Sequence, residues 1–191
     1  MRLLVERYRG RVGVTDADGI ELRLRRAEDR TGDAFDVSGP RARGVSVRGL
    51  LLAAGAALAA GAVMAAAMER IADVIPVIGA LYGVANPVVG LVTHEFHSVV
   101  FGLVYAGLIA GLPRSRTRHL REYLAVAVAW ALTLWLVAAG VVMPVWLRLV
   151  GLAAPIPNLG LAPLVGHLVW ALVIGGLYYA GERALSGRSA D

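Results

Sequence analysis

The sequence predicts an all-α membrane protein with four transmembrane helices arranged as two tandem helix-hairpin repeats, preceded by a short cytoplasmic segment that is β-hairpin-like or disordered. Three observations carry this expectation. Of 191 residues, 58% are hydrophobic, and the mean hydropathy is +0.65. Four long apolar runs are separated by breaks rich in Pro, Gly or Arg, and the second and fourth runs share a register. A soluble domain of this size cannot hide so much apolar surface in one core, so the chain belongs in a bilayer.

Residues 1–47 stand apart. "GRVGVT", "DADG" and "IELRLR" read as strand, turn and strand, with Ile20, Leu22 and Leu24 alternating against charged neighbours. A lone two-stranded hairpin is marginal. The segment therefore either docks on a protein partner or stays loosely ordered, with disorder expected after Arg30.

The membrane domain is expected over 48–182. Its first span, about 49–68, is the uncharged run "GLLLAAGAALAAGAVMAAAM", long enough to cross ~30 Å of hydrocarbon. It is too long, and begins too far into the chain, for a cleaved signal peptide. The next stretch, "ERIADVIPVIGALYGVANPVVG", is apolar but interrupted by Pro76, Gly79, Gly83, Asn86, Pro87 and Gly90. It reads as a surface or re-entrant loop. The second span is expected at about 91–112 and stops at Pro113 and the arginines beyond. The third covers about 123–147, with Pro144 able to kink its far end. A second broken stretch, "GLAAPIPNLGLAP", leads to the fourth span at about 164–181 and a cytoplasmic tail, 183–191.

The net charge of +5 is a topology signal rather than a nucleic-acid footprint. All nineteen basic residues are arginine. With four spans, the N-terminal segment, the 113–122 connection and the C-terminus share one side, which holds eleven, four and two arginines against two on the other. The positive-inside rule puts that side in the cytoplasm of a multi-pass cell-membrane protein. The expected partners are the lipid bilayer, a protein through residues 1–47 and a second copy of the chain; nucleic acid is not among them.

"GLVTHEFHSVVFGLVY" from Gly90 aligns with "PLVGHLVWALVIGGLY" from Pro163 at a constant offset of 73 residues, matching His94 with His167, Gly102 with Gly175 and Tyr105 with Tyr178. Copies of two spans each cross in the same direction, so His94 and His167 lie at similar depth. At helical spacing His94, His97, Phe101 and Tyr105 form one stripe, and His167, Trp170, Ile174 and Tyr178 its counterpart. Polar groups in spans face the bundle interior, so both stripes are expected to point inward. Small residues at four-residue spacing (Ala53, Ala57, Gly61 and Ala65; Gly107 and Gly111; Ala171 and Gly175) would let helices approach closely. Tyr105, Tyr178 and Tyr179 read as interface anchors.

The absence of cysteine excludes disulfides, thiolate metal sites, Cys nucleophiles and c-type haem attachment. Candidate sites therefore rest on histidine. His94, His97 and His167 could supply three ligands to a divalent ion; alternatively, His94 and His167 could be axial ligands of a haem, or the histidines could serve in proton or pH sensing. The plainer reading is that these rings bond loop carbonyls at a wet helix entrance. Glu95 is expected to pair with Arg70 or Arg148, and Asn86 and Asn158 either line a polar vestibule or form turns. Ser98 is the only serine inside a span and lacks a nucleophile elbow. No Walker loop, GxGxxG or kinase ATP-binding signature is present.

"VTHEFHSVVFGLVYA", "AAGVVMPVWL", "PNLG" and "LVGHLVW" resemble a group of small haloarchaeal four-helix integral membrane proteins often labelled "histidine kinase", over roughly Val47 to Glu182. The resemblance implies a cell-membrane protein without an assigned mechanism, since no phosphoacceptor box maps onto this chain. The sequence favours a non-enzymatic binding or sensory module with an outer-side histidine cluster. The alternative is a structural subunit or small transporter component with purely structural histidines, and a kinase-like signalling protein ranks last.

Overall fold

The computed structural model describes residues 11–15, 19–23, 44–113 and 117–187. The chain divides into two units, Met1–Arg41 and Ala42–Asp191. In the first, β1 (Arg11–Thr15) pairs antiparallel with β2 (Gly19–Arg23), Arg11 opposite Arg23 and Thr15 opposite Gly19. This is the hairpin expected from the alternation. Residues 31–43, in which disorder is expected, and the last four residues of the C-terminal tail lie outside the described residues.

The second unit is helical: α1 (Val47–Ala72), α2 (Ile75–Ala80), α3 (Pro87–Gly111), α4 (Leu120–Thr133), a π-helical segment (Leu134–Val142), α5 (Met143–Leu149) and α6 (Leu161–Gly187). Among the described residues, four stretches are long and apolar enough to cross a membrane: α1, α3, the continuous run Leu120–Leu149 and α6. α1 packs on both α3 and α6, and α6 also packs on α4.

The helix boundaries follow from capping chemistry. Ser46 accepts the Gly49 N–H at 3.1 Å and starts α1, and Asp73 at φ 45° ends it in the left-handed region. α3 begins at Pro87, ahead of the expected position near 91. Asn86 Oδ1 accepts from Val88 N at 2.8 Å and Val89 N at 3.3 Å, and Pro87 sits in the first turn, where its missing N–H costs nothing. The Asn-Pro pair that reads as a break is a helix start. α4 is started by Glu122, whose Oε2 accepts the Arg118 and His119 N–H groups, each at 2.7 Å.

The stretch between the first two spans is a short helix rather than an irregular loop. α2 lies on α3 and, through Ala80 and Leu81, against Leu147 of α5. Its closeness to α3 depends on Gly90, where any Cβ would overlap the Ile75 carbonyl.

The core is built on small residues. Ala53, Ala57, Gly61 and Ala65 are all buried, as the four-residue spacing predicts, and Gly102 leaves room for Ala57, with which a Cβ would collide. Gly107 and Gly111 depart from expectation. Both face open space, because the buried face of α3 runs through Gly102, Tyr105, Ala106 and Ile109 instead. Tyr105 and Tyr178 are also not interface anchors: they are 0% and 2% exposed, and their rings meet edge to face at 5.7 Å. Both belong to the inward stripes, three turns from the histidines.

The third span changes helical type where the sequence suggests a kink. Pro144 has no N–H to return to Gly140 O, and that carbonyl instead accepts Asn158 N at 2.8 Å. Trp135 Nε1 donates to Gly160 O at 3.2 Å, so the loop before α6 is tied to the π segment at two points.

Candidate ligand site between the helices

α1, α3 and α6 converge on one hydroxyl. Ser98 Oγ donates to Ala57 O at 2.7 Å and accepts the Trp170 indole N–H, also at 2.7 Å. Inside a bilayer no water competes for these groups, so each must be satisfied by protein. The knot fixes the inward stripes of α3 and α6 at the end of the bundle where the histidines lie.

Beside it is a cavity of about 190 Å³, and His94, His97 and His167 all line it. Each ring is oriented by a different partner. His94 is buried, and its Nε2 bonds Gly61 O across to α1 at 3.1 Å. His167 Nδ1 bonds Pro163 O one turn back at 2.7 Å. A carbonyl only accepts, so both ring nitrogens must donate, and each neutral ring keeps a lone pair on its other nitrogen: Nδ1 of His94 and Nε2 of His167. His97 Nε2 meets the Tyr82 hydroxyl at 3.1 Å, and its ring stacks on Phe101 with centroids 6.2 Å apart.

The rest of the wall is apolar or aromatic. The π segment contributes Leu134, Ala138, Ala139 and Val142, and Tyr82, Phe101, Trp146 and Trp170 supply aromatic faces. A π-helix is rare and is frequently found at functional sites. Here it lines the same cavity as the histidines. A void of ~150 Å³ holds one benzene ring, so this cavity accommodates a group of about that size and not a haem macrocycle between His94 and His167.

Glu95 does not join the histidines, nor does it pair with Arg70 or Arg148. It turns toward α1, where a Cβ on Gly61 would lie 2.6 Å from Oε2, and both its carboxyl oxygens are buried without a hydrogen-bond partner. Arg148 Nε donates to Ala154 O at 2.8 Å instead. Among the described residues no group of three or more His, Cys, Asp or Glu side chains could hold a metal ion.

No family model, curated protein or solved structure matches this chain. The cavity itself therefore carries the functional reading.

The sequence stripes brought the three histidines and Trp170 to one place. Met64, Met143, Tyr82, Trp146 and the π segment, which complete the cavity, were not singled out. Met64 lies in an alanine-rich run where it reads as core, and only Pro144 hinted at an unusual backbone. Of the two asparagines, Asn86 caps α3, as the turn reading expects, and Asn158 is held by its backbone N–H on Gly140 O. A second cavity, of about 310 Å³, lies at the other end of the bundle by Ser46, Tyr123, Tyr178 and Glu182. Tyr123 donates to Glu182 Oε2 there at 3.3 Å.

Proposed function

We propose that the protein is a multi-pass membrane binding or sensory module that takes a small ligand into the histidine-lined cavity. The observation that carries this reading is the convergence of three histidines and a π-helical wall on one cavity of about 190 Å³. Packed bundles do not normally leave such a space, and its few oriented polar groups in an apolar lining are the usual composition of a ligand site. The arginine distribution supports cytoplasmic termini, which puts the cavity in the outer half of the bilayer. The offset of 73 residues supports two tandem helix hairpins, with His94 and His167 as equivalent positions.

A second reading, a structural subunit with purely structural histidines, is favoured by the bonds of His94 and His167 to backbone carbonyls. Bromobenzene separates the two, because Trp146 and Trp170 line the cavity and a bound bromine quenches them. A binding module shows saturable quenching that disappears when Ala138→Leu fills the space. Quenching that rises linearly, as in lipid alone, and is unchanged by Ala138→Leu favours the structural reading.

A further inference from the structure

We infer that the cavity binds a soft monovalent metal ion, Cu(I), for which Ag(I) is a redox-inert substitute; this names the ligand class of the binding-module reading and rests on it.

The donor set points there. His94 and His167 each present a bare ring nitrogen, because Gly61 O and Pro163 O take the proton-bearing one. Metal-binding histidines commonly have this arrangement, in which a backbone carbonyl fixes tautomer and ring orientation before the ion arrives. Two thioethers line the same cavity, Met64 from α1 and Met143 at the start of α5. The chain has only four methionines. Imidazole alone serves Zn, Cu, Fe and Ni, whereas thioether sulfur selects Cu(I).

Charge disfavours the divalent alternative. The cavity-lining donors are neutral, and the nearby carboxylate, Glu95, is turned away against Gly61. The cost of desolvating an ion rises with the square of its charge, so a site of neutral nitrogen and sulfur in apolar surroundings suits a single positive charge far better than two. Trp146 and Trp170 add indoles to the cavity lining, and indole faces attract cations. The Trp170 N–H and the Ser98 hydroxyl are already committed to each other and to Ala57 O.

The test uses the full chain in nanodiscs, purified without a polyhistidine tag, with Cu(I) supplied under ascorbate and competed against bicinchoninate. The expected result is one Cu(I) per chain, with one Ag(I) displacing it and Zn(II) failing to do so. His94→Gln and His167→Gln each weaken binding by about 100-fold or more. Met64→Leu, which keeps the packing volume, also weakens it, and His119→Gln, altering the histidine outside the cavity, does not. X-ray absorption should show mixed nitrogen and sulfur neighbours. Folded wild-type protein that leaves all Cu(I) with the chelator overturns the inference, as does Zn(II) binding at the same residues or full retention by His94→Gln. Saturable bromobenzene quenching alongside absent Cu(I) binding would sink the ion assignment alone; loss of both would sink the binding-module reading with it.

Discussion

Trp170 reaches across the bundle to Ser98, indole N–H to hydroxyl at 2.7 Å, and joins two residues 72 positions apart in the chain. The hydroxyl in turn donates its own hydrogen bond to Ala57 O. Ser98→Ala leaves the indole N–H buried and unpaired. The expected cost is about 1 to 2 kcal/mol, set by the penalty for an unsatisfied buried donor and the modest worth of side-chain hydrogen bonds within membranes. Unfolding in mixed micelles by SDS titration measures it. Trp170→Phe combined with Ser98→Ala should cost less than the two single changes together; strict additivity would mean that the bond contributes nothing.

Two glycines on α3 should respond in opposite ways to the same added methyl. At Gly102 a Cβ would overlap Ala57 Cβ and lie 3.1 Å from Ile174 Cδ1, so Gly102→Ala must push α1 and α3 apart, at about 1 to 3 kcal/mol. Gly107 has nothing within 4 Å. Gly107→Ala should be neutral or stabilising by up to about 1 kcal/mol, because alanine is the better helix former. Equal destabilisation by both changes in the same titration would contradict the packing described above.

The proposed cytoplasmic placement of the termini predicts a labelling pattern, and the natural absence of cysteine makes it easy to read. Val84→Cys and Leu152→Cys lie in the connections at the histidine end and are exposed. A membrane-impermeant maleimide should label both in intact cells and should reach Thr117→Cys only after lysis. The reverse pattern would invert the molecule and move the cavity to the cytoplasmic leaflet.

The parts of the fold legible in the sequence were those fixed by period and polarity. Twenty uncharged residues specify a span, and the three-turn spacing of His94 to Tyr105 specifies an inward stripe. Both depend only on helical geometry and the cost of polar groups in lipid. What escaped depended on neighbours. Asn86-Pro87 is a break or a cap according to whether a helix follows in the right direction, and Gly107-Gly111 becomes an interface only if another helix arrives. Glu95 looked like one half of an ion pair because its charge was visible in the sequence, whereas its contact with Gly61 was not. The cavity was half legible: the polar stripes of the second and fourth spans located the histidines, but methionines within alanine-rich or valine-rich runs carry no sign that they face a void.

The π segment offers the sharpest test of whether backbone geometry makes the cavity. A π-helical stretch generally corresponds to one extra residue accommodated in an α-helix, and Leu134–Val142 contains four of the cavity-lining positions. Deleting Ala139 removes that extra residue and lets α4 continue as an α-helix into α5, with the flanking faces close to their present orientation. The wall then moves inward by the width of the lost bulge. The four-helix fold should persist, seen as unchanged helicity by circular dichroism and monodisperse elution. Saturable bromobenzene quenching should vanish, and Cu(I) should stay with the chelator. A deletion variant that still binds either probe as the wild type does would show that the cavity does not depend on the π turn, and that the histidine and methionine side chains alone define the site.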